Sequence, residues 1–256
     1  MKRTNVTIAG CEIELHDSGS GTPLLFLHPG GGFVPSDPYV SLLSAQRRLV
    51  APSHPGFGTS TLPAWIDNVD DIAHLYLELM DHLELRKVDV VAGSIGGWIA
   101  AEMATKTPER FGKLVMVGPV GVKTGPVDKL DIPDIYVLPP SDVAKLMFHE
   151  PSKQPGLDTF SDEDLAVQAR NRETLALIAW EPYMHNPKLP HRLHRVTSPT
   201  LFVRGESDGL VSQSYLDSYA RLIQGARTAT IPQAGHSPQV EQPQAFARLI
   251  LDFLGA

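Results

Sequence analysis

The sequence predicts an α/β protein with a mostly parallel, doubly wound sheet. Three observations point there. Short continuous apolar runs recur at Leu24–Leu27, Leu49–Ala51, Val88–Val91, Leu114–Val117 and Thr200–Val203, and such runs mark strands buried on both faces. Helical patterns separate most of these runs, which is the rhythm of strands joined by crossover helices. Small, glycine-bearing turns follow several of them, as at His28–Gly32, Gly93–Gly97 and Gly205–Asp208.

Taken in order, Val6–Ile8 and Glu12–His16 alternate in polarity about Gly10 and read as a half-exposed antiparallel hairpin. Asp17–Pro23 is a turn cluster, and Leu24–Leu27 is the first buried strand, ending in His28-Pro-Gly-Gly-Gly-Phe33. A helix is expected over Leu42–Arg48, a strand over Leu49–Ala51 and a loop over Ser53–Ser60. Asn68 or Asp70 caps a helix running to about Leu85, with Ile72, Leu75, Leu79 and Leu83 on one face. The strand from Val88 turns sharply through Ala92–Gly97 and continues as a helix over Trp98–Lys106. Leu114–Val117 is the next buried strand.

From Gly118 to about Ser198 the rhythm breaks and proline recurs, from Pro119 through Pro155 to Pro190. Two helical patterns lie there, roughly Ser141–His149 and Ser161–Trp180, the second opened by Ser161 and the acids Asp162–Asp164. The stretch is far longer than a crossover needs. It reads as a helical lid over 118–198, inserted into a core made of 1–117 and 199–256. The α/β rhythm resumes with a strand at Thr200–Arg204, a helix over Ser212–Ile223 and a strand at Ala226–Ile231. A loop at Gln233–His236 leads to an amphipathic helix over Glu241–Leu254, with Phe246, Leu249, Ile250 and Phe253 inward.

Composition narrows the function. The chain has 256 residues, 42% hydrophobic and 20% charged, which is ordinary for a globular protein. A net charge of -7 without a Lys/Arg stripe argues against nucleic acid as a partner. The single cysteine, Cys11, allows no intrachain disulfide and suits a reducing cytoplasm. No apolar run approaches the ~18 residues of a membrane span, and no apolar segment follows the basic N-terminal residues.

The chemistry centres on Ala92-Gly-Ser-Ile-Gly-Gly97. A strand, a one-residue turn carrying Ser94 and a helix form the context of a nucleophile elbow. So tight a turn brings the residues two before and two after the serine together, and Ala92 and Gly96 are small enough to allow it. A phosphate-binding βα turn is the rival reading. It lacks support, since no Lys, Arg or acidic partner of a nucleotide site accompanies the turn. A serine hydroxyl needs a neighbouring base, and the base an orienting acid. Asp208 lies just past one strand and His236 just past the next, where the loops of an open α/β sheet gather. Glycines after His28 allow the backbone to offer N–H groups to an oxyanion, together with the N–H of Ile95.

Taken together, these motifs resemble the α/β-hydrolase fold superfamily in its lidded serine-hydrolase branch. The segments carrying the likeness are His28-Pro-Gly-Gly-Gly, Pro55-Gly-Phe-Gly-Thr-Ser60, Ala92–Gly97, Gly205-Glu-Ser-Asp208 and Ala234-Gly-His-Ser-Pro238 with Glu241 and Pro243. The resemblance implies an eight-stranded, mostly parallel sheet with a helical lid after the sixth strand. It implies Ser94 as nucleophile, His236 as base and Asp208 as acid, with oxyanion N–H groups from Ile95 and from Gly30 or Gly31. It implies no cofactor and no metal. Two positions depart from the pattern. Ser53 stands where many members have aspartate, and Pro29 where glycine usually follows the histidine, which leaves open which glycine N–H faces the oxyanion.

The ten histidines and the aromatic residues have plainer readings beside functional ones. His28 is expected to be structural, and His191 and His194 to be solvated lid residues without a third metal ligand. His54, His149 and His185 lie where either a pocket or a plain loop role fits. Glu206, Asp128 and Asp131 are lesser candidates for the acid. Phe33, Phe148, Trp180, Tyr183 and Met184 are expected pocket residues, with packing between lid and sheet as the alternative for each, and Trp98 is expected in the core behind the elbow. Serine at the elbow speaks against epoxide hydrolase and haloalkane dehalogenase chemistry, which uses aspartate there. The expected activity is hydrolysis of a small carboxylic ester through an acyl-enzyme. A carbon–carbon bond hydrolase of ring-cleavage diketones keeps the serine, although such enzymes resemble one another in a tryptophan after the histidine, where this chain has Ser237. Amidase, lactonase and perhydrolase activities share the triad, and a ligand receptor on the same fold is the non-enzymatic alternative.

Overall fold

A computed structural model describes residues 1–153 and 159–255. Pro155, one of the prolines noted in the 118–198 stretch, lies outside the described residues. One sheet has the strand order β1-β2-β4-β3-β5-β6-β7-β8. The strands are β1 (Lys2–Ile8), β2 (Cys11–Ser18), β3 (Pro23–Leu27), β4 (Arg48–Pro52), β5 (Val88–Gly93), β6 (Phe111–Val117), β7 (Thr200–Gly205) and β8 (Arg227–Ile231). β1 and β2 form the expected antiparallel hairpin, Ile8 opposite Cys11, with Ala9 and Gly10 both at positive φ in the turn. β2 pairs antiparallel with β4, and every later pairing is parallel.

The helices lie in two layers. α1 (Pro38–Ser44) and α8 (Pro243–Leu254) pack on one face through Tyr39, Leu43, Phe246 and Ile250. α2 (Val69–His82), α3 (Ile95–Lys106) and α6 (Gln213–Ala220) cover the other. The 118–198 stretch packs on this second face, through Leu175, Ile178, Met184, Leu189 and Leu193. It holds α4 (Pro140–Met147) and α5 (Asp162–Ala179), and its only bridge among the described residues joins Gly121 and His185. Ser161 forms the capping box of α5 with Asp164, as its sequence signature suggests. For α2 the cap is Asn68, whose side chain accepts the Asp71 N–H.

Several boundaries differ from the sequence expectation. The helix expected over Leu42–Arg48 runs over Pro38–Ser44, because Pro38 suits the first helical turn and Arg48 enters β4. There Arg48 is paired with Asp17 of β2. The closing helix breaks before Pro243, leaving a short α7 (Pro238–Glu241) ahead of α8. Proline lacks the N–H that would continue the first segment. The elbow helix begins at Ile95, directly after Ser94, rather than at Trp98.

Ser53, where the resemblance led us to expect aspartate in many members, takes a carboxylate partner from elsewhere in the chain. The carboxylate is supplied from β2 by Glu14. Its Oε2 accepts the Ser53 hydroxyl at 3.2 Å and the Thr59 N–H at 2.9 Å. His16 and Arg3 complete the cluster on Oε1. Hydrogen bonding from His16 leads the causes that bring the Glu14 carboxyl from 4.5 down to about 2. A lowered folded-state value stabilises the protein above the unfolded one, and that contribution disappears as pH falls from about 4.5 towards 2. Glu14→Gln is expected to lower stability near neutrality by up to about 3 kcal/mol. The difference from wild type should shrink through this acid window in urea unfolding, and a difference independent of pH would refute the account.

Candidate active site

Ser94 sits between β5 and α3 with φ 50° and ψ -114°, a backbone conformation unusual for a residue with a side chain. Its neighbours leave no room for anything larger. A β-carbon on Gly96 would run into the backbone carbonyls of Leu27 and His28, and one on Gly97 would lie 2.6 Å from the Pro119 ring. Ala92 is fully buried. The Ser94 N–H donates to the Val117 carbonyl at 2.8 Å, so the elbow is fastened to the end of β6. Trp98 lies behind it in the core, its indole N–H donating to the buried Glu102.

Asp208 and His236 meet across the ends of β7 and β8. His236 Nδ1 lies 2.9 Å from Asp208 Oδ2, and both side chains are buried. The other carboxylate oxygen, Oδ1, accepts the N–H groups of Leu210 and Val211, each at 2.9 Å. This pairing places the imidazole proton on Nδ1 and leaves Nε2 as a lone pair. Arg204, the penultimate residue of β7, donates to the carbonyls of Glu206, Asp208 and Val211 and staples the acid loop. Gly118 joins this pair to the elbow. It follows Val117, has φ 48°, and a β-carbon there would lie 3.1 Å from the His236 ring and 3.2 Å from Asp208 Oδ2.

The loop after β3 narrows the choice of oxyanion donors. Pro29 has no N–H, and the Gly32 N–H is committed to the Pro29 carbonyl at 2.9 Å. Gly30 and Gly31 remain the candidates on this loop. On the elbow, Ile95 is the first helical residue, so its N–H has no intrahelical acceptor.

Described residues of the 118–198 stretch hold these loops from outside. The last carbonyls of α4 receive two of them: Gly209 N donates to Leu146 at 2.8 Å and His236 N to Met147 at 2.7 Å. Glu241 accepts the N–H groups of Gly235 and His149, tying the histidine loop to the residues after α4. From α5, Asn171 donates to Gly31 O and accepts the Gly58 N–H, Thr174 donates to Gly56 O, and Leu175 packs where a Gly30 side chain would go. Sequence patterns gave no sign of Arg204, Asn171 or the α4 carbonyls. A glycine directly after a strand was the available clue to Gly118.

The remaining candidates scatter. Phe148 adjoins Gly235 and so the histidine loop, and Met184 accepts the Gly121 N–H beside Trp98. Phe33 instead packs against Phe26 and His16 on the sheet. Trp180 is half exposed and meets Tyr136 and Tyr183 edge to face, and the Tyr183 hydroxyl bonds the backbone at Pro133 and Ile135. His28 and His54 are fully buried and stacked; burial brings His28 down to about 4 and His54 well below the usual imidazole value. His149 bonds Ser207, and His185 bonds the Tyr183 carbonyl. Glu206 accepts the Gln233 N–H, Asp131 binds Lys123 with the Thr124 and Gly125 amides, and Asp128 is exposed. His191 and His194 are exposed, and among the described residues no group of three or more His, Cys, Asp or Glu is placed to hold a metal. Among the same residues no helix is long and apolar enough to cross a membrane.

Known proteins match this architecture along its whole length. The chain is 29% identical over 279 residues to the 2-hydroxymuconate semialdehyde hydrolase of Pseudomonas sp. (strain CF600), covering 97% of this chain and 92% of that protein. It is 29% identical over 276 residues to the 2-hydroxy-6-oxo-2,4-heptadienoate hydrolase of Pseudomonas putida, covering 98% and 95%. The structure of a meta-cleavage product hydrolase from Pseudomonas fluorescens IP01 shares the fold with a TM-score of 0.79 at 22% identity, covering 98% of this chain and 97% of that one. Residues 24–249 match the family described as Alpha/beta hydrolase family, a span that includes the elbow, the acid loop and the histidine loop. On that match, the chain belongs to the alpha/beta hydrolase family.

Proposed function

We propose that this hydrolase uses Ser94 as nucleophile, His236 as base and Asp208 as orienting acid to cut the carbon–carbon bond of a small 2-hydroxy-6-oxodienoate. The observation that carries the triad is the buried 2.9 Å contact of His236 Nδ1 with Asp208, set beside Gly118 at the end of the strand to which Ser94 is fastened. Support for the substrate class comes from two relatives of nearly equal length whose names describe such dienoates. They favour this alternative over the carboxylic ester that the sequence led us to expect.

In the keto form of such a substrate, a ketone or aldehyde carbon is joined through a methylene to a conjugated 2-oxo group. Ser94 Oγ attacks that carbon and gives its proton to His236 Nε2. The developing oxyanion takes the N–H of Ile95 and that of Gly30 or Gly31. The carbon–carbon bond then breaks, its electron pair passes into the conjugated 2-oxo group, and the His236 proton completes the released 2-hydroxydienoate. Water, deprotonated by His236, cleaves the acyl-serine to a carboxylic acid. Carbon is an acceptable leaving atom here because the conjugated carbonyl takes the charge. In this reading the 118–198 stretch serves as the lid. Ester hydrolysis is the second reading, favoured by Ser237 in place of the tryptophan expected after the histidine.

Loss of the dienoate absorbance and release of p-nitrophenol from its butyrate separate the two. Wild type is expected to consume 2-hydroxymuconate semialdehyde, and Ser94→Ala and Asp208→Asn to be slower by roughly 10³–10⁴-fold. Turnover of the ester alone, dependent on Ser94, would replace the carbon–carbon reading by the ester one. Inertness of wild type towards both would end the hydrolytic assignment. Gly118→Ala crowds His236 and Asp208 at a positive φ, and kcat is expected to fall at least about 10-fold with the circular dichroism spectrum retained. An unchanged kcat would remove Gly118 from this account.

A further inference from the structure

We infer that Tyr76 and the His54 side chain are positioning residues for the oxyanion donor, holding the His28 carbonyl and ring in place so that the His28 Nδ1 proton fixes the Pro29 carbonyl and aims the Gly30 N–H, given Ser94 as the nucleophile proposed above. The hydrogen bonds assign every proton. The His54 backbone N–H lies 2.9 Å from His28 Nε2, and a backbone N–H only donates. His28 Nε2 is therefore a lone pair, and the ring proton sits on Nδ1. That proton is donated to the Pro29 carbonyl at 2.7 Å. His54 Nε2 faces the His28 carbonyl at 2.8 Å and must donate to it. His54 Nδ1 is then the acceptor, and the Tyr76 hydroxyl donates to it at 2.6 Å. The two rings stack with centroids 3.7 Å apart in a fully buried site, where a second charge has no solvent to screen it.

The consequence reaches the loop through peptide planarity. In a trans peptide the C=O and the following N–H point in opposite directions. Holding the Pro29 carbonyl inward, on the His28 ring and on Gly32 N, turns the Gly30 N–H away from the His28 ring. On the other side Asn171 holds the Gly31 carbonyl, so the Pro29–Gly32 turn is gripped at both ends. Gly30, rather than Gly31, is the donor whose direction this network determines. His54 thus has both ring nitrogens committed and is no pocket residue.

A fluorophosphonate places its phosphoryl oxygen in the oxyanion site and reports on it without a natural substrate. Its rate of capture at Ser94 is expected to fall roughly 10- to 100-fold in His54→Leu and less in Tyr76→Phe. His54→Gln keeps a donor at the Nε2 position and should recover much of the rate. A loss confined to the rate constant of capture at saturating probe, with the probe's half-saturating concentration and the circular dichroism spectrum held, separates positioning from mere support of the fold. Nitrogen-15 shifts of wild type at neutral pH are expected to show both rings neutral, His28 protonated at Nδ1 and His54 at Nε2, a measurement that needs no variant to fold. The opposite tautomer or a cationic ring overturns the proposal, as does a folded His54→Leu that is captured at the wild-type rate. Failure of wild type itself to be captured at Ser94 would remove the nucleophile, and this role with it.

Discussion

The close approach of Gly96 to the Leu27 and His28 carbonyls is the constraint from which the candidate site follows. It lets α3 start directly at Ser94 and brings the loop after β3 against the elbow without a side chain between them. Three features share that geometry: the positive φ of Ser94, the orphan N–H of Ile95 and the turn at Pro29–Gly32. Ser94 N binding to Val117 O adds β6 to the same junction. Strain at Ser94 persists because packing on every side specifies it, which is how such strain survives in folded proteins.

Precision elsewhere comes from backbone carbonyls and buried carboxylates used as fasteners. Arg204 gathers three carbonyls of the acid loop, and the end of α4 receives N–H groups from both the acid and the histidine loops. Helix ends have unpaired carbonyls to offer, so a helix terminus suits this work. Glu14 of β2 plays the matching part for the Ser53–Ser60 loop. Helices α4 and α5 are consequently part of the candidate site's scaffold. Whatever moves α4 or α5 also moves His236 or the Gly30–Gly31 turn.

Much of this was legible in the chain. Buried strands announced themselves as apolar runs, and Ser94 and Asp208 each follow one of them, while His236 follows the mostly exposed strand β8. The caps of α2 and α5 were readable because an Asn or Ser side chain satisfies its own helix locally. Boundaries slipped where a proline, Pro38 or Pro243, ruled the helix start more strongly than the apolar pattern did. The surroundings of the expected pocket residues were the least legible, since Phe33, Phe148, Trp180, Tyr183 and Met184 are alike in apolar character and differ in which elements they pack against.

What the sequence alone determined, then, was the order of strands and turns and the residue types at the turns, because those depend on neighbours a few positions apart. Only the tertiary structure decided that Glu14 is the carboxylate meeting the Ser53 hydroxyl, and that Asp208 Oδ2 is the oxygen meeting His236. It also decided that His28, His54 and Tyr76 share one chain of protons. Each of those contacts joins residues between 22 and 39 positions apart, and each depends on bond directions that residue spacing does not encode.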